Sequence, residues 1–170
     1  MKSLLKSKKG LSTVVTTLII LVVSVLLATV VTYYAINMTT TRVQEENLRI
    51  TKAHIWANST TQVAGFVIAN IGGRDTLLDK IQVRGQVMDW TSCWYQRNTS
   101  APTGDLSYLD PTTFGTQALD DLSLKSGSYM TLYINSPGTI SVGDVGVTCS
   151  ITVFTASAQY KVEVNVESAS

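Results

Sequence analysis

The stretch "SKKGLSTVVTTLIILVVSVLLATVVTYYAI", Ser7–Ile36, decides the architecture. Lysines crowd its left edge, and from Thr13 to Ile36 there are 24 residues without a charged side chain. As a helix at about 1.5 Å per residue these span roughly 36 Å, more than a hydrocarbon core of about 30 Å. The many β-branched residues lower intrinsic helicity. In lipid, however, a helix satisfies its own backbone, and that requirement dominates. The polar interruptions are Thr16, Thr17, Ser24, Thr29 and Thr32, whose hydroxyls can bond back to carbonyls one turn earlier. Tyr33 and Tyr34 stand at the far end, where amphipathic rings favour an interface, and the Lys cluster keeps the amino terminus cytoplasmic. An ordinary secretory signal has an apolar core of about 7–15 residues and a small-x-small cleavage site. This tract is too long and "TYYAINM" offers no such site, so a membrane-spanning helix is expected, with a permanent anchor as one reading.

Outward from the tract, helical cues persist. Ile36, Val43 and Ile50 recur at heptad spacing, while Glu45/Arg49 and Arg42/Glu46 stand four apart. A single helix over 11–50 is expected, with Thr39–Thr41 as its weakest turn. From His54 the period switches to two. Candidate strands are "AHIWAN", "QVAGFVIAN", "LLDKIQVRG" and "QVMDWTSCWYQ", then "ALDDLSLKSG", "YMTLYIN", "VGVTCSITVFTA" and "AQYKVEVNVE". A Gly/Pro/Ser/Thr-rich loop over 97–117 interrupts them, and turns fall at "NIGGRD", "KSGS" and "NSPG". The expected fold class is α+β: a long hydrophobic helix, then an all-β antiparallel sandwich (Ig-like) over 53–170, long enough for one core.

The charge balance argues against nucleic acid as a partner. The formal charge is +1, but four of the 13 basic residues lie within the first ten positions. Without those ten residues, nine basic side chains face twelve acidic ones, for a net charge of −3, and no basic stripe remains. Cys93 and Cys149 suit one disulfide in an oxidising compartment; two buried thiols are the other reading.

Catalytic constellations do not assemble. A lone histidine, His54, cannot form a Ser-His-Asp, Cys-His or H-E-x-x-H site, and no phosphate-binding glycine loop lies between a strand and a helix. Asp105, Asp110, Asp120 and Asp121 flank the long loop without EF-hand spacing and read as solvated carboxylates. Trp90, Trp94 and Tyr95 could form a carbohydrate patch. Trp90 and Trp94 read more simply as core residues sharing one strand face. No enzyme, cofactor or metal is expected. Asn98, Asn58 and Asn37 each begin an N-x-[ST] sequon, Asn98 being the best placed because it lies in the loop.

The run "KKGLST" directly before 24 uncharged residues resembles the class III, prepilin-type signal of type IV pilins and archaellins. The resemblance implies cleavage between Gly10 and Leu11, with Lys8, Lys9, Ser12 and Thr13 forming the flanking motif. Residues 1–10 would then be a removable leader. Bacterial type IV pilins usually carry Glu at the fifth mature position, where this chain has Val15, so the likeness is to the archaeal branch. The stretch "VIANIGGRDTLLDKIQVRG" is similar to the N-x-G turn and following strand of archaeal pilin and archaellin heads. The family implies a structural subunit of an archaeal type IV pilus-like filament for adhesion. Its partners would be copies of itself (a helical homopolymer), a prepilin-type signal peptidase, and the membrane in the precursor form. The assembled filament would be extracellular. Two alternatives are an archaellin of a motility filament and a membrane-anchored extracellular binding or stator-like β-sandwich.

Overall fold

The computed structural model describes residues 3–169, with side chains placed for residues 10–41 and 45–169. The protein is α+β: one long amino-terminal helix followed by a ten-stranded, mostly antiparallel sheet. It divides into two compact units, Met1–Arg42 and Val43–Ser170.

Helix α1 runs Ser3–Gln44. Eight of its Ser and Thr hydroxyls bond back to carbonyls of the same helix. Thr16 donates to the Ser12 carbonyl at 2.8 Å, Ser24 to Ile20 at 2.7 Å, Thr29 to Val25 at 2.8 Å and Thr32 to Ala28 at 2.8 Å. Thr39, Thr40 and Thr41 do the same, so the expected weak turn is helical. These bonds let a Thr-rich tract present an almost wholly apolar exterior.

The helix stops six residues short of the expected Ile50, and Ile50 lies in the first strand, β1 (Leu48–Ala57). Local heptad spacing loses here to tertiary pairing. The strand β2 (Gln62–Asn70) takes Leu48 opposite Asn70 and Ile50 opposite Ile68. Just before β1, the Glu45 carbonyl accepts from Gly73 N–H at 3.2 Å, and the Asn47 carbonyl accepts from Ile71 and Gly72. Carbonyls committed to the "NIGG" turn cannot accept helical bonds. Glu45 and Arg49 therefore share no helical face.

The remaining strands are β3 (Thr76–Val83), β4 (Gln86–Val87), β5 (Cys93–Asn98), β6 (Thr116–Gln117), β7 (Leu122–Leu124), β8 (Tyr129–Asn135), β9 (Thr148–Thr155) and β10 (Gln159–Ser168). The spatial order is β4-β3-β9-β10-β1-β2-β8-β5-β6, with β7 pairing β3. One pair departs from an all-antiparallel sandwich: β1 and β10 run parallel, Ile55 opposite Val166, and join the two halves into one continuous sheet. The expected strand over 86–96 is also interrupted. A 3-10 turn at Trp90–Ser92 separates β4 from β5.

Both halves of the sheet contribute to one core, so the sheet folds back on itself. Ile55 and Phe66 meet Leu78, Ile81, Leu124, Leu132, Ile134, Ile151 and Val153, all fully buried or nearly so. Strand β2 is buried on both faces beyond Gln62, because residues between β5 and β6 cover its other side.

Cys93 and Cys149 are both buried and both free, so the expected disulfide is not formed. The Cys93 thiol donates to the Asp89 carbonyl at 3.5 Å. Burial, aided by the nearby Asp89 charge, pushes the Cys93 thiol up to about 12. A thiol held neutral in this way is inert. We expect native protein to resist iodoacetamide at neutral pH and to take up label on both cysteines once unfolded, without prior reduction, as read by mass spectrometry.

Asn70 fixes the turn that receives the head's first residues. Its amide donates to the Arg74 carbonyl at 2.8 Å and the Leu124 carbonyl at 3.1 Å, and its oxygen accepts from Gly72 N–H at 3.0 Å. Gly72 has no room for a side chain: a Cβ would stand 2.6 Å from both Asn47 N and the Glu45 carbonyl oxygen. Asn70→Ala leaves buried backbone groups unpaired and is expected to cost about 2–3 kcal/mol. A denaturant titration of native and variant protein measures it.

Candidate functional site: the exposed apolar helix and a strapped sheet face

Two surfaces stand out. The first is α1 between Gly10 and Thr41, long and apolar enough to cross a membrane, with none of it buried in this chain. Eighteen large apolar side chains from Leu11 to Met38 are 45–71% exposed, and they point in every direction around the helix. A helix apolar all round belongs in lipid or inside a larger assembly. Each such side chain gains about 1.5–3 kcal/mol on full burial, so leaving them in water would cost tens of kcal/mol in total.

Gly10, Leu11, Ser12 and Thr13 lie within the continuous helix, with nothing within 4 Å of a Cβ built on Gly10. Lys8 and Lys9 belong to the same helix, and their side chains lie outside the described residues. Leu11 is 69% exposed. Asn37 is exposed on α1, one turn before Thr41.

The second surface is the outer face of β1, β2 and β8, covered by a strap of residues 99–115. Trp56, Val63 and Tyr133 form its floor, and Leu106, Tyr108, Leu109 and Phe114 pack onto them. Trp56 and Tyr133 stack with centroids 6.3 Å apart and planes 13° from parallel. Phe114 tilts against Tyr133 at 4.6 Å. Gly65 makes this floor: a Cβ there would come within 2.9 Å of the Tyr133 ring.

Polar fastenings surround the aromatic cluster. A bulge in β1 between Thr51 and His54 places Lys52 at φ 51, a left-handed conformation unusual for a long side chain. Lys52 Nζ donates to the Pro102 and Gly104 carbonyls. The Tyr133 hydroxyl donates to the Ser107 carbonyl at 3.1 Å, and the Tyr108 hydroxyl meets Thr61 Oγ1 at 2.7 Å. His54 lies between two carboxylates: Nε2 is 3.0 Å from Asp105 Oδ1, and Nδ1 is 3.2 Å from Glu167 Oε1.

The four aspartates do not converge. Asp105 meets His54, Asp110 caps its own 3-10 turn through Thr112, Asp120 accepts from Asp121 N–H, and Asp121 accepts from Trp90 Nε1 at 3.1 Å. Among the described residues no group of three or more His, Cys, Asp or Glu could hold a metal ion. Trp90 and Trp94 do not share a strand face, because Trp90 sits in the 3-10 turn and packs on the core. Trp94 lies on β5 opposite Tyr133.

The sequons differ in setting. Asn58 is bound into its own turn, Oδ1 accepting from Thr60 and Thr61 N–H and Nδ2 donating to Tyr108 at 3.4 Å. Asn98 ends β5, half-buried, beside a surface groove that also contains Arg97 and Lys125.

Sequence patterns gave no sign of Lys52, Glu167, Tyr108 and Tyr133 as a group. Their partners lie 26 to 113 positions away in the chain. The only local hint was the alternation that puts Lys52, His54 and Trp56 on one side of a strand. No protein-family model and no curated protein matches the chain.

A charge placed midway along the helix measures how dry its final surroundings are. Val25→Asp is expected to cost about 2.5–3.5 kcal/mol of membrane insertion. It should shift a large share of the protein from the alkaline-carbonate-resistant pellet to the supernatant, while Thr29→Val leaves the partition unchanged.

Proposed function

We propose that this protein is the structural subunit of an archaeal type IV pilus-like surface filament, polymerising through its hydrophobic helix and serving adhesion. In this reading the precursor waits in the membrane. A prepilin-type peptidase cuts between Gly10 and Leu11, removing Lys2, Lys6, Lys8 and Lys9 and leaving the apolar helix on the mature subunit. Extracted from lipid, that helix must be covered by copies of itself, and head-to-tail contacts that do not close give a helical filament. The β head would decorate the outside. A single observation carries the reading: an all-round apolar helix with no cover in its own chain, directly after K-K-G-L-S-T.

A motility filament would use the same helix and the same cut; loss of swimming rather than of attachment in a deletion strain selects that reading. A membrane-anchored binding domain would keep its leader.

The experiment is amino-terminal sequencing of the protein in surface filaments sheared from cells. The expected result is a chain beginning at Leu11. An intact leader, with all of the protein in the membrane fraction and none in the sheared material, refutes the proposal. Gly10→Val is expected to block cleavage and abolish filaments while the precursor still reaches the membrane.

A further inference from the structure

We propose that His54 is a protonation-dependent latch, holding the strap over residues 99–115 and the end of β10 to β1 while its ring carries a proton on both nitrogens. The geometry requires two donors. Nε2 faces Asp105 from the strap and Nδ1 faces Glu167 from β10, and each carboxylate only accepts. An imidazolium serves both. A neutral imidazole has a single N–H, so one carboxylate would face a nitrogen lone pair across about 3 Å.

The ring's surroundings reinforce the charged form. His54 stacks on Trp56 with centroids 5.2 Å apart and planes 10° from parallel, an arrangement in which the aromatic face attracts a cation. The charged neighbours are few. Beta strand β1 contributes Lys52, the strap Asp105 and β10 Glu167, while the facing positions of β2 are uncharged at Val63, Gly65 and Val67. Strand β8 adds Tyr133, whose phenol burial pushes upward and out of the relevant range. Partial burial alone would lower His54, but the hydrogen bonds and charges of Asp105 and Glu167 outweigh it, so the ring titrates above its ordinary value. Asp105 moves the other way, held below the usual carboxylate range chiefly by its bond to His54.

The signs follow. A raised histidine contributes fastening that is complete below about 6.5 and is lost as pH rises through its folded value. A lowered Asp105 contributes fastening that is present above about 3.9 and lost in stronger acid. The latch is therefore closed in mildly acidic water and opens as pH rises through the folded value of His54. Opening removes the Asp105 fastening at one edge of the Trp56–Tyr133 floor and loosens the strap there, while Lys52, the Tyr133 hydroxyl and the apolar cluster still hold the rest.

Hydrogen exchange of the full-length protein in detergent micelles tests this, with each variant compared at the same pH so that intrinsic exchange chemistry cancels. At about pH 5.5, where a histidine of ordinary or raised pKa is charged, strap amides of the native chain should exchange several-fold more slowly than those of His54→Gln. At about pH 9 the two should converge. His54→Arg keeps a charge at every pH and should keep the strap slow relative to His54→Gln at both. Amides of β2 and β8 report whether the head stays folded. If His54→Gln loses that protection, Asp105→Asn on the exposed strap replaces it, with the same expected loss of pH dependence. A native-to-variant ratio that is the same at both pH values, or strap amides as slow in the variant as in the native chain at about pH 5.5, overturns the proposal.

Discussion

Water cannot be the final environment of Leu11–Met38, and much else about this protein depends on that. Eighteen large apolar side chains on one continuous helix are 45–71% exposed. The hydroxyls that could have made the helix polar are turned back onto its own carbonyls. What remains is a cylinder whose surface lipid or like helices can cover equally well. Lipid satisfies it one molecule at a time; like helices satisfy it only in an assembly. In the proposed filament, transfer from lipid to like helices would be driven by close packing between helices rather than by escape from an unfavourable solvent.

The head obeys a different constraint. Its backbone groups are satisfied by pairing along a single sheet path that turns back over one core, and the parallel β1–β10 pair is the joint that makes the path continuous. That joint also brings Glu167, near the end of the chain, beside His54 near the start of the head. The strap over 99–115 then arrives from the far side of the sheet and meets His54 through Asp105. The bulge at Lys52 fits the same account: a residue held at φ 51 costs on the order of 1 kcal/mol, and here it aims an ammonium at two strap carbonyls.

The junction illustrates how local and tertiary signals compete. Heptad spacing at Ile36, Val43 and Ile50 and ion-pair spacing at Glu45 and Arg49 both favour helix. Each is worth only tenths of a kcal/mol. Pairing Leu48 and Ile50 with β2, and spending the carbonyls of Glu45 and Asn47 on the glycine turn, makes several backbone hydrogen bonds and buries Leu48, together worth more than a surface pair. The helix therefore ends at Gln44.

The long uncharged run, the switch from helical to alternating periodicity near His54 and the turn at "NIGG" are properties of neighbouring residues. Sequence alone was enough to establish an apolar helix followed by a β head, because burial patterns of period 3.6 and period 2 are written locally. The β1–β10 parallel joint, the break of the 86–96 segment at Trp90, the free state of Cys93 and Cys149, and the grouping of Lys52, His54, Asp105 and Glu167 were decided only in three dimensions. Each depends on which distant strand lies alongside, and strand pairing over tens of residues is set by the best shared core rather than by any local pattern.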